Sequence, residues 1–334
     1  MECDNFKCIP LSIVFAVSIT CIFGEWGVKI YKLMFVYYAN SNSFLKNKTK
    51  LMIKLFILTL LFYITSVTAF SQTPNYEVYA LKFASAFDGK PYPLSYIVLG
   101  APEKEKGIAI FMVWLIKGDN GKNILVDAGF LKDVEEAKDF GVTNYIRPDS
   151  MPIGVGLKAT DITDIILTHP HWDHVDAVDL FPNAQVWMQK EDYNYFVGAA
   201  WQKDGSGGFN KRDVRKIVEL NLSGKLTLVD GDDKEVVPGI KVYTGSRHTF
   251  NSQYVLVKSG TEKIILASDN VYTYYNLDNL KSAPKDATFD TTGYINAMKR
   301  MKTLVSNIKF IIPGHDALLF NRFPLITEGI IKIK

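Results

Sequence analysis

The chain has 334 residues, enough for one large domain or two smaller ones, and its 48% hydrophobic and 22% charged content supports a buried core and excludes a disordered or fibrous chain. The net charge of +3 belongs to the N-terminus: beyond residue 69 the chain carries 31 basic and 32 acidic residues. So neutral a body offers no basic field for nucleic acid.

Two apolar stretches open the chain. Ile9 to Phe23 is short for a membrane span. Leu51 to Phe70 follows Lys46, Lys48 and Lys50, is apolar to Ile64, and ends in the small-residue run Thr65 to Ala69. A basic entry, an apolar middle and a small-residue exit form the pattern of a secretory signal peptide. The expectation is a targeting region over 1–72 with the signal at about 52–69; Met52 stands where such a signal would begin, which would make the upstream part a mis-assigned start. The alternative is an uncleaved anchor at 51–70. The body over 73–334 is then exported, periplasmic or secreted, and meets a membrane only through that segment. All three cysteines, Cys3, Cys8 and Cys21, lie in the N-terminal region, so a metal in the body must be held by imidazole and carboxylate.

In the body, 76–84, 94–100 and 109–117 read as strands from their β-branched and aromatic content. Gly118 to Gly121 is a hairpin turn leading into a strand over 122–126. A Pro/Gly loop over 147–156 precedes a strand over 164–168 and a helix-like segment over 175–180. A strand over 184–188 comes next, then helices over 190–197 and 211–222 flanking an irregular insertion, 201–209, whose Gly205 to Gly208 reads as a flexible tip. Strands recur over 225–229, 240–244, 253–258 and 263–268. Apolar residues at 295, 298, 301, 304 and 305 predict a helix over 291–306. A last strand over 309–312 ends at Pro313-Gly314-His315. Strands dominate, with helices between and after them, so two sheets flanked by helices are expected.

The stretch His169-Pro170-His171-Trp172-Asp173-His174 holds three of the five histidines. Alternation along an extended backbone puts His169 and His171 on one side, with Asp173 two further on. Two divalent ions need more ligands than one turn supplies. His248 and His315, each following a strand, make up the deficit, and Asp269, at the end of its own strand, is a carboxylate placed to bridge. Asp176 and Asp179 read as a solvated helix face.

This order of residues resembles the metallo-β-lactamase superfamily over roughly residues 76–320. The resemblance implies an α+β fold, a four-layer αβ/βα sandwich with a dinuclear metal site at the sheet edge. It implies two zinc ions, or other divalent metals, with His169, His171 and His248 on the first, Asp173, His174 and His315 on the second, and Asp269 between them. Within the superfamily the sequence looks most like N-acyl homoserine lactonases, on Tyr272 three residues after Asp269 and on flanks such as Ile124 to Gly129. That implies a hydrolase opening the lactone ring of a small molecule with an acyl chain (quorum quenching). Water acidified by the metals attacks, Tyr272 steadies the oxyanion, and Asp173 or Asp269 returns the proton. Phosphotriesterase, glyoxalase II and arylsulfatase activities share the scaffold, and a non-catalytic exported metal-binding protein is the alternative outside enzymology. One departure is the loop after His248, where Thr249-Phe250-Asn251-Ser252 replaces the Thr-Pro-Gly of many members. Aromatic residues in and around the insertion, Tyr193, Tyr195, Phe196, Trp201 and Phe209, with Met151 from the Pro/Gly loop, are the expected acyl groove. A homodimer is compatible with the sequence.

Overall fold

The computed structural model describes residues 48–59, 74–202 and 207–334. The chain divides into two compact units, Met1–Gln72 and Thr73–Lys334. In the first, residues 48–59 form a helix, α1. The rest of the expected signal, 60–69, lies outside the described residues, as do the three cysteines. Among the described residues no helix is long and apolar enough to cross a membrane.

The second unit is built on two sheets. In chain order its strands are β1 (Tyr76–Ser85), β2 (Tyr92–Pro93), β3 (Lys106–Gly107), β4 (Ile110–Gly118), β5 (Asn123–Val126), β6 (Asp164–Ile166), β7 (Gln185–Gln189), β8 (Leu226–Val229), β9 (Lys234–Val237), β10 (Ile240–Thr244), β11 (Gln253–Ser259), β12 (Glu262–Ser268), β13 (Ile311–Pro313), β14 (Leu325–Thr327) and β15 (Ile330–Lys332). The larger sheet runs β14-β15-β1-β4-β5-β6-β7-β8, the smaller β13-β12-β11-β10-β9, and β2 pairs with β3 alone. The helices are α2 (Glu135–Asp139), α3 (Trp172–Val175), α4 (Lys190–Val197), α5 (Lys211–Leu222), α6 (Tyr274–Asn279) and α7 (Thr291–Leu304).

Both faces of the larger sheet are covered, which is why β4 reads as a continuous apolar run over Ile110 to Ile116 and β1 is apolar between Glu77 and Lys82. Along β4, Ile110, Met112, Trp114 and Ile116 face the smaller sheet, and Phe111, Val113 and Leu115 face the opposite way. That second face is covered by Phe196 of α4 and Ile217 of α5. On the smaller sheet α7 packs Tyr294, Ala297, Met298 and Met301, spaced by one helical turn. The result is the four-layer αβ/βα sandwich.

Parallel pairing sets the position of the site. β5 and β6 are parallel, and so are β12 and β13. β10 and β12 both run antiparallel to β11 and hence parallel to one another. The C-terminal ends of all five strands therefore collect at one edge of the sandwich.

Several local expectations fail for stated reasons. Residues 94–100 are not a strand: Leu94–Tyr96 is a 3-10 turn, because Pro91 and Pro93 deny the chain ladder donors just before it. The Pro/Gly loop closes into 3-10 turns over Pro148–Val155. The helix after the histidine cluster starts three residues early, at Trp172, and a separate 3-10 turn covers Val178–Leu180. Strands β9, β14 and β15 and helices α2 and α6 are short elements that the sequence reading passed over.

Candidate metal centre

Each ligand candidate sits at the end of a strand. His169 to His174 follow β6, His248 lies between β10 and β11, Asp269 follows β12, and His315 follows β13. Three residues beside them hold left-handed backbone angles unusual for non-glycine residues: Asp127 (φ 63), Arg247 (φ 52) and Ser268 (φ 49). Arg247 and Ser268 directly precede His248 and Asp269, so strained backbone turns those two side chains toward the cluster.

The side chains form two groups, His169–His171–His248–Asp269 and Asp173–His174–His315. In the first, the Nε2 atoms of His169 and His248 lie 3.1 and 3.0 Å from Nδ1 of His171. The far nitrogens fix which atom points inward. Nδ1 of His248 donates to the Ala287 carbonyl at 2.9 Å, and Nδ1 of His315 to the Ile110 carbonyl at 2.9 Å. Nδ1 of His174 bonds Asp127 at 2.8 Å. With that nitrogen protonated, Nε2 of each ring presents a lone pair to the cluster.

Asp269 stands between the groups. Its Oδ2 is 3.3 Å from His248 Nε2 and 3.7 Å from His169 Nε2; its Oδ1 is 2.8 Å from His315 Nε2 and 3.4 Å from His174 Nε2. Asp173 Oδ2 approaches His174 Nε2 at 3.2 Å and His315 Nε2 at 3.6 Å. Within this crowd, His174 Nε2 and Asp269 Oδ1 are buried and make no hydrogen bond. Buried lone pairs aimed at one another without protons between them carry a large desolvation cost unless a cation lies among them. The donor set, imidazole nitrogen and carboxylate oxygen in two groups with one shared carboxylate, fits two divalent ions.

The electrostatics differ between the groups. Burial holds the His169 and His171 imidazoles well below the ordinary range, His171 at about 3, so both are neutral. Burial also pushes His174 and His315 down, but Asp173 and Asp269 beside them outweigh it and turn the net shift upward. For Asp269 the balance is reversed: burial raises it, and His315 and His174 bring it well below the carboxylate range.

Residues behind the ligands were not singled out from sequence. Asp127 accepts the Thr168 amide at 2.7 Å, the Ser268 hydroxyl at 2.9 Å and His174 Nδ1, so one buried carboxylate ties β5, β6 and β12 together. The loop that departs from Thr-Pro-Gly is stitched by side chains instead. Thr249 Oγ1 and the Asn251 amide donate to Asp192 of α4 at 2.6 and 3.0 Å. The Ser252 hydroxyl accepts the His248 amide at 3.1 Å and donates to Asn270 at 3.0 Å. Asp176 is buried, not solvated: Arg212 clamps both its oxygens, at 2.7 and 2.6 Å, and the Leu131 amide donates to it. Asp179 is exposed as expected, with Lys216 at 3.0 Å. Of the expected tip, Gly205 and Ser206 lie outside the described residues, while Gly208 is pressed against the cluster. A Cβ there would lie 2.7 Å from the His171 ring, and its φ of +79° suits glycine alone.

A cavity opens on the cluster in two lobes that share His171 and His248. One, of about 460 Å³, has an aromatic wall of Phe87, Tyr92, Phe111, Phe140 and Trp172 and reaches Asp173, Asp269, Tyr272 and His315. The other, of about 510 Å³, is lined by Tyr195, Phe209, Lys285, Thr288 and Phe289. Tyr272 lines the first lobe beside His248: its hydroxyl is 3.3 Å from His248 Nδ1, which is already donating to Ala287, so the hydroxyl keeps its own proton free to donate. Of the expected acyl groove, only Tyr195 and Phe209 reach the cavity. Phe196 is fully buried core, and Trp201 donates to its carbonyl. Tyr193 accepts from Asn221 at the α4–α5 contact. Met151 packs beside Gly329 under β15. Phe196 has no polar atom, and Tyr193 and Trp201 keep a hydrogen bond where they pack on the core, so none of the three leaves a polar group unpaired there. Of the wall residues on the other lobe, Phe111 lay in an expected strand and Trp172 in the histidine cluster, while Phe87, Tyr92 and Phe140 fell outside every element the sequence suggested.

The chain belongs to the metallo-beta-lactamase superfamily, whose family model matches residues 112–315. It is 28% identical over 163 residues to an N-acyl homoserine lactonase of Bacillus cereus and 30% identical over 166 residues to one of Bacillus sp, each match covering 48% of this chain and 59% of the relative. The chain thus spans about six-tenths of the length of these curated relatives. In fold it is similar to a mutant of B. thuringiensis AiiA with N-decanoyl-L-homoserine bound at the active site, with a TM-score of 0.59 at 20% identity over 76% of this chain and 98% of the other. It is also similar to AidC, a dizinc quorum-quenching lactonase in complex with a product, with a TM-score of 0.56 at 17% identity over 73% and 88%.

Proposed function

We propose that this protein is a metal-dependent hydrolase that opens the lactone ring of N-acyl homoserine lactones, with two divalent ions, zinc by preference, held by His169, His171, Asp173, His174, His248, Asp269 and His315. The observation that carries this reading is Asp269, whose two oxygens face the two ligand groups separately, with the Tyr272 hydroxyl beside them in the cavity wall. Relatives named for that activity support it.

Divalent ions in such a centre supply water acidified to near neutrality and polarise a carbonyl. The chain's own groups do the rest. Burial, reinforced by Asp269, pushes the Tyr272 hydroxyl well above its ordinary range, so it remains a donor at neutral pH. It is placed to hydrogen-bond the carbonyl oxygen as negative charge develops there, a contact of about 3 kcal/mol in comparable sites. Asp173 lines the cavity and is the group to pass a proton to the departing ring oxygen. The aromatic lobe receives the acyl chain and keeps bulk water from the reacting ring.

The test is a pH-stat screen of the metal-analysed protein on lactones, phosphotriesters and thioesters. Two metal equivalents with rapid lactone opening are expected; turnover of phosphotriesters or thioesters alone overturns the lactonase assignment. We further propose export through the 52–69 segment. Sequencing the N-terminus of protein recovered outside the cell should place it close to residue 70, and a terminus upstream of residue 60 would refute cleavage there.

A further inference from the structure

We propose that Tyr294 is a positioning residue: its hydroxyl fixes the Tyr272 phenol relative to Asp269, and so sets the spacing between the oxyanion donor and the carboxylate that joins the two ligand groups. The inference rests on the hydrolase reading above, with Tyr272 as its donor, but not on a lactone as the substrate.

Asp269 and Tyr272 both sit in the short turn that joins β12 to α6. Within it the Asn270 and Val271 amides fold back on the Ala267 and Ser268 carbonyls, at 3.1 Å each. The Val271 and Tyr272 carbonyls accept the Gly314 and His315 amides, at 2.9 Å each, which ties the turn to the next ligand. The Asp269 carbonyl and the Tyr272 amide are served by one side chain. The Tyr294 hydroxyl donates to the first at 2.9 Å and accepts from the second at 3.1 Å. A single oxygen thus links the backbones of the two functional residues, using its one proton on one and a lone pair on the other. Tyr294 carries that oxygen in from the first turn of α7, with its ring fully buried. The start of α7 is itself braced. Asp290 caps it through the Thr292 amide at 3.0 Å. Just before the cap, the Phe289 amide donates to the Arg247 carbonyl at 2.8 Å, and the Ala287 carbonyl accepts from His248 Nδ1. One helix start therefore holds a ligand of the first group and the oxyanion donor together. Asp269 has a second support, since it directly follows Ser268 of β12, whose hydroxyl donates to Asp127 at 2.9 Å. Tyr272 lies three residues further on, within the turn. Loss of the Tyr294 hydroxyl should leave the ions in place and let the phenol drift. A misplacement of about 1 Å near reacting atoms can cost up to ~10²-fold in rate.

The test is a double-mutant cycle on the metal-loaded protein, with Tyr294→Phe made alone and in a Tyr272→Phe background. Circular dichroism shows that each variant is folded, and metal content should match wild type. Kinetics use the substrate that wild type turns over best in the screen above, so failure on lactones removes the lactonase reading and leaves the cycle intact. Alone, Tyr294→Phe should lower kcat about tenfold, with KM changed by less than about twofold. In the Tyr272→Phe background the same substitution should cost less than about twofold, because the group it positions is gone. A residue that served stability alone would give equal losses in the two backgrounds. Equal losses, no loss in either, or loss of metal overturns the assignment. Should Tyr294→Phe fail to fold, Tyr294→4-aminophenylalanine replaces it. Its N–H still donates to the Asp269 carbonyl, but an aniline nitrogen is a poor acceptor for the Tyr272 amide. The same pattern is expected at about threefold, and equal losses again overturn the assignment. If wild type turns over none of the substrates, calorimetric affinity for a ring-opened N-acyl homoserine replaces kcat. A loss of about threefold confined to the background that keeps Tyr272 upholds the role of Tyr294. Equal losses in both backgrounds, no loss, or no binding removes it.

Discussion

The two ligand groups share Asp269 yet are built on opposite electrostatic plans. His169, His171 and His248 bring three imidazoles together, and the two from the cluster are held neutral by burial. Asp173, His174 and His315 contain a carboxylate of their own, and there both imidazoles are shifted upward by acids. The first group offers neutral nitrogen ligands and depends on Asp269 for negative charge. The second carries charge of its own and draws on Asp127 behind it. Residues that serve both groups should therefore matter most, residues of one group less, and residues that only orient a ligand or the substrate least.

Asp269→Asn gives the largest expected effect, a loss of ~10³-fold in kcat/KM with weakened binding of both ions, since it removes the one charge the first group has and half the charge of the second. Metal analysis alongside kinetics checks this; retention of two tightly held ions would show that Asp269 does not bridge. Asp173→Asn and His248→Ala should separate the groups. Each is expected to leave about one metal equivalent and to cost ~10²-fold or more in activity. Spectra of cobalt-substituted protein would tell which site survives, and the same surviving site in both variants would break the division. Asp127→Asn touches no metal, but it deletes the acceptor that orients His174. Its cost should be 10- to 100-fold in metal affinity, concentrated on the second ion. Tyr272→Phe should lower kcat by roughly 10- to 100-fold with metal content intact. A fall in metal content there would reassign the tyrosine to holding His248.

Legibility in the sequence follows the same division. The ligand candidates that the fold gathers were readable because their side chains are rare, chemically distinct and placed at strand ends, and the two sheets because their pattern is carried by local alternation. The supporting carboxylates were not. Asp127, Asp176 and Asp192 look like ordinary polar residues at turns or on helices, and only tertiary contact shows that Thr168, Arg212 and Thr249 respectively bury them. The aromatic insertion misled for a related reason. Composition marks Tyr193, Phe196 and Trp201 as apolar, and only packing decides whether an apolar ring faces a cavity or a core.

Asp192 offers the smallest effect and a distinct readout, stability rather than turnover. Burial in α4 raises its pKa to about 6, although Thr249 and Asn251 donate to it. An unfolded chain titrates this carboxyl near its ordinary value of 3.8. Between those values the folded protein binds the proton more tightly, so this group favours the native state at low pH. That contribution fades as pH rises from about 4 to about 6, and above it the buried carboxylate is a net cost of ~1–3 kcal/mol. Asp192→Asn is neutral at every pH. Its oxygen can still accept the Asn251 amide, and its amide group can donate to Thr249 Oγ1, reversing that hydrogen bond. The variant should gain stability relative to wild type as pH rises across this window. Urea denaturation of metal-free protein at pH 4, 5, 6 and 7 isolates the difference from metal release. A difference that stays flat would mean that the donors of the His248 loop already stabilise the charge in full, and that the substituted Thr-Pro-Gly segment is held by hydrogen bonds to an ionised Asp192 throughout.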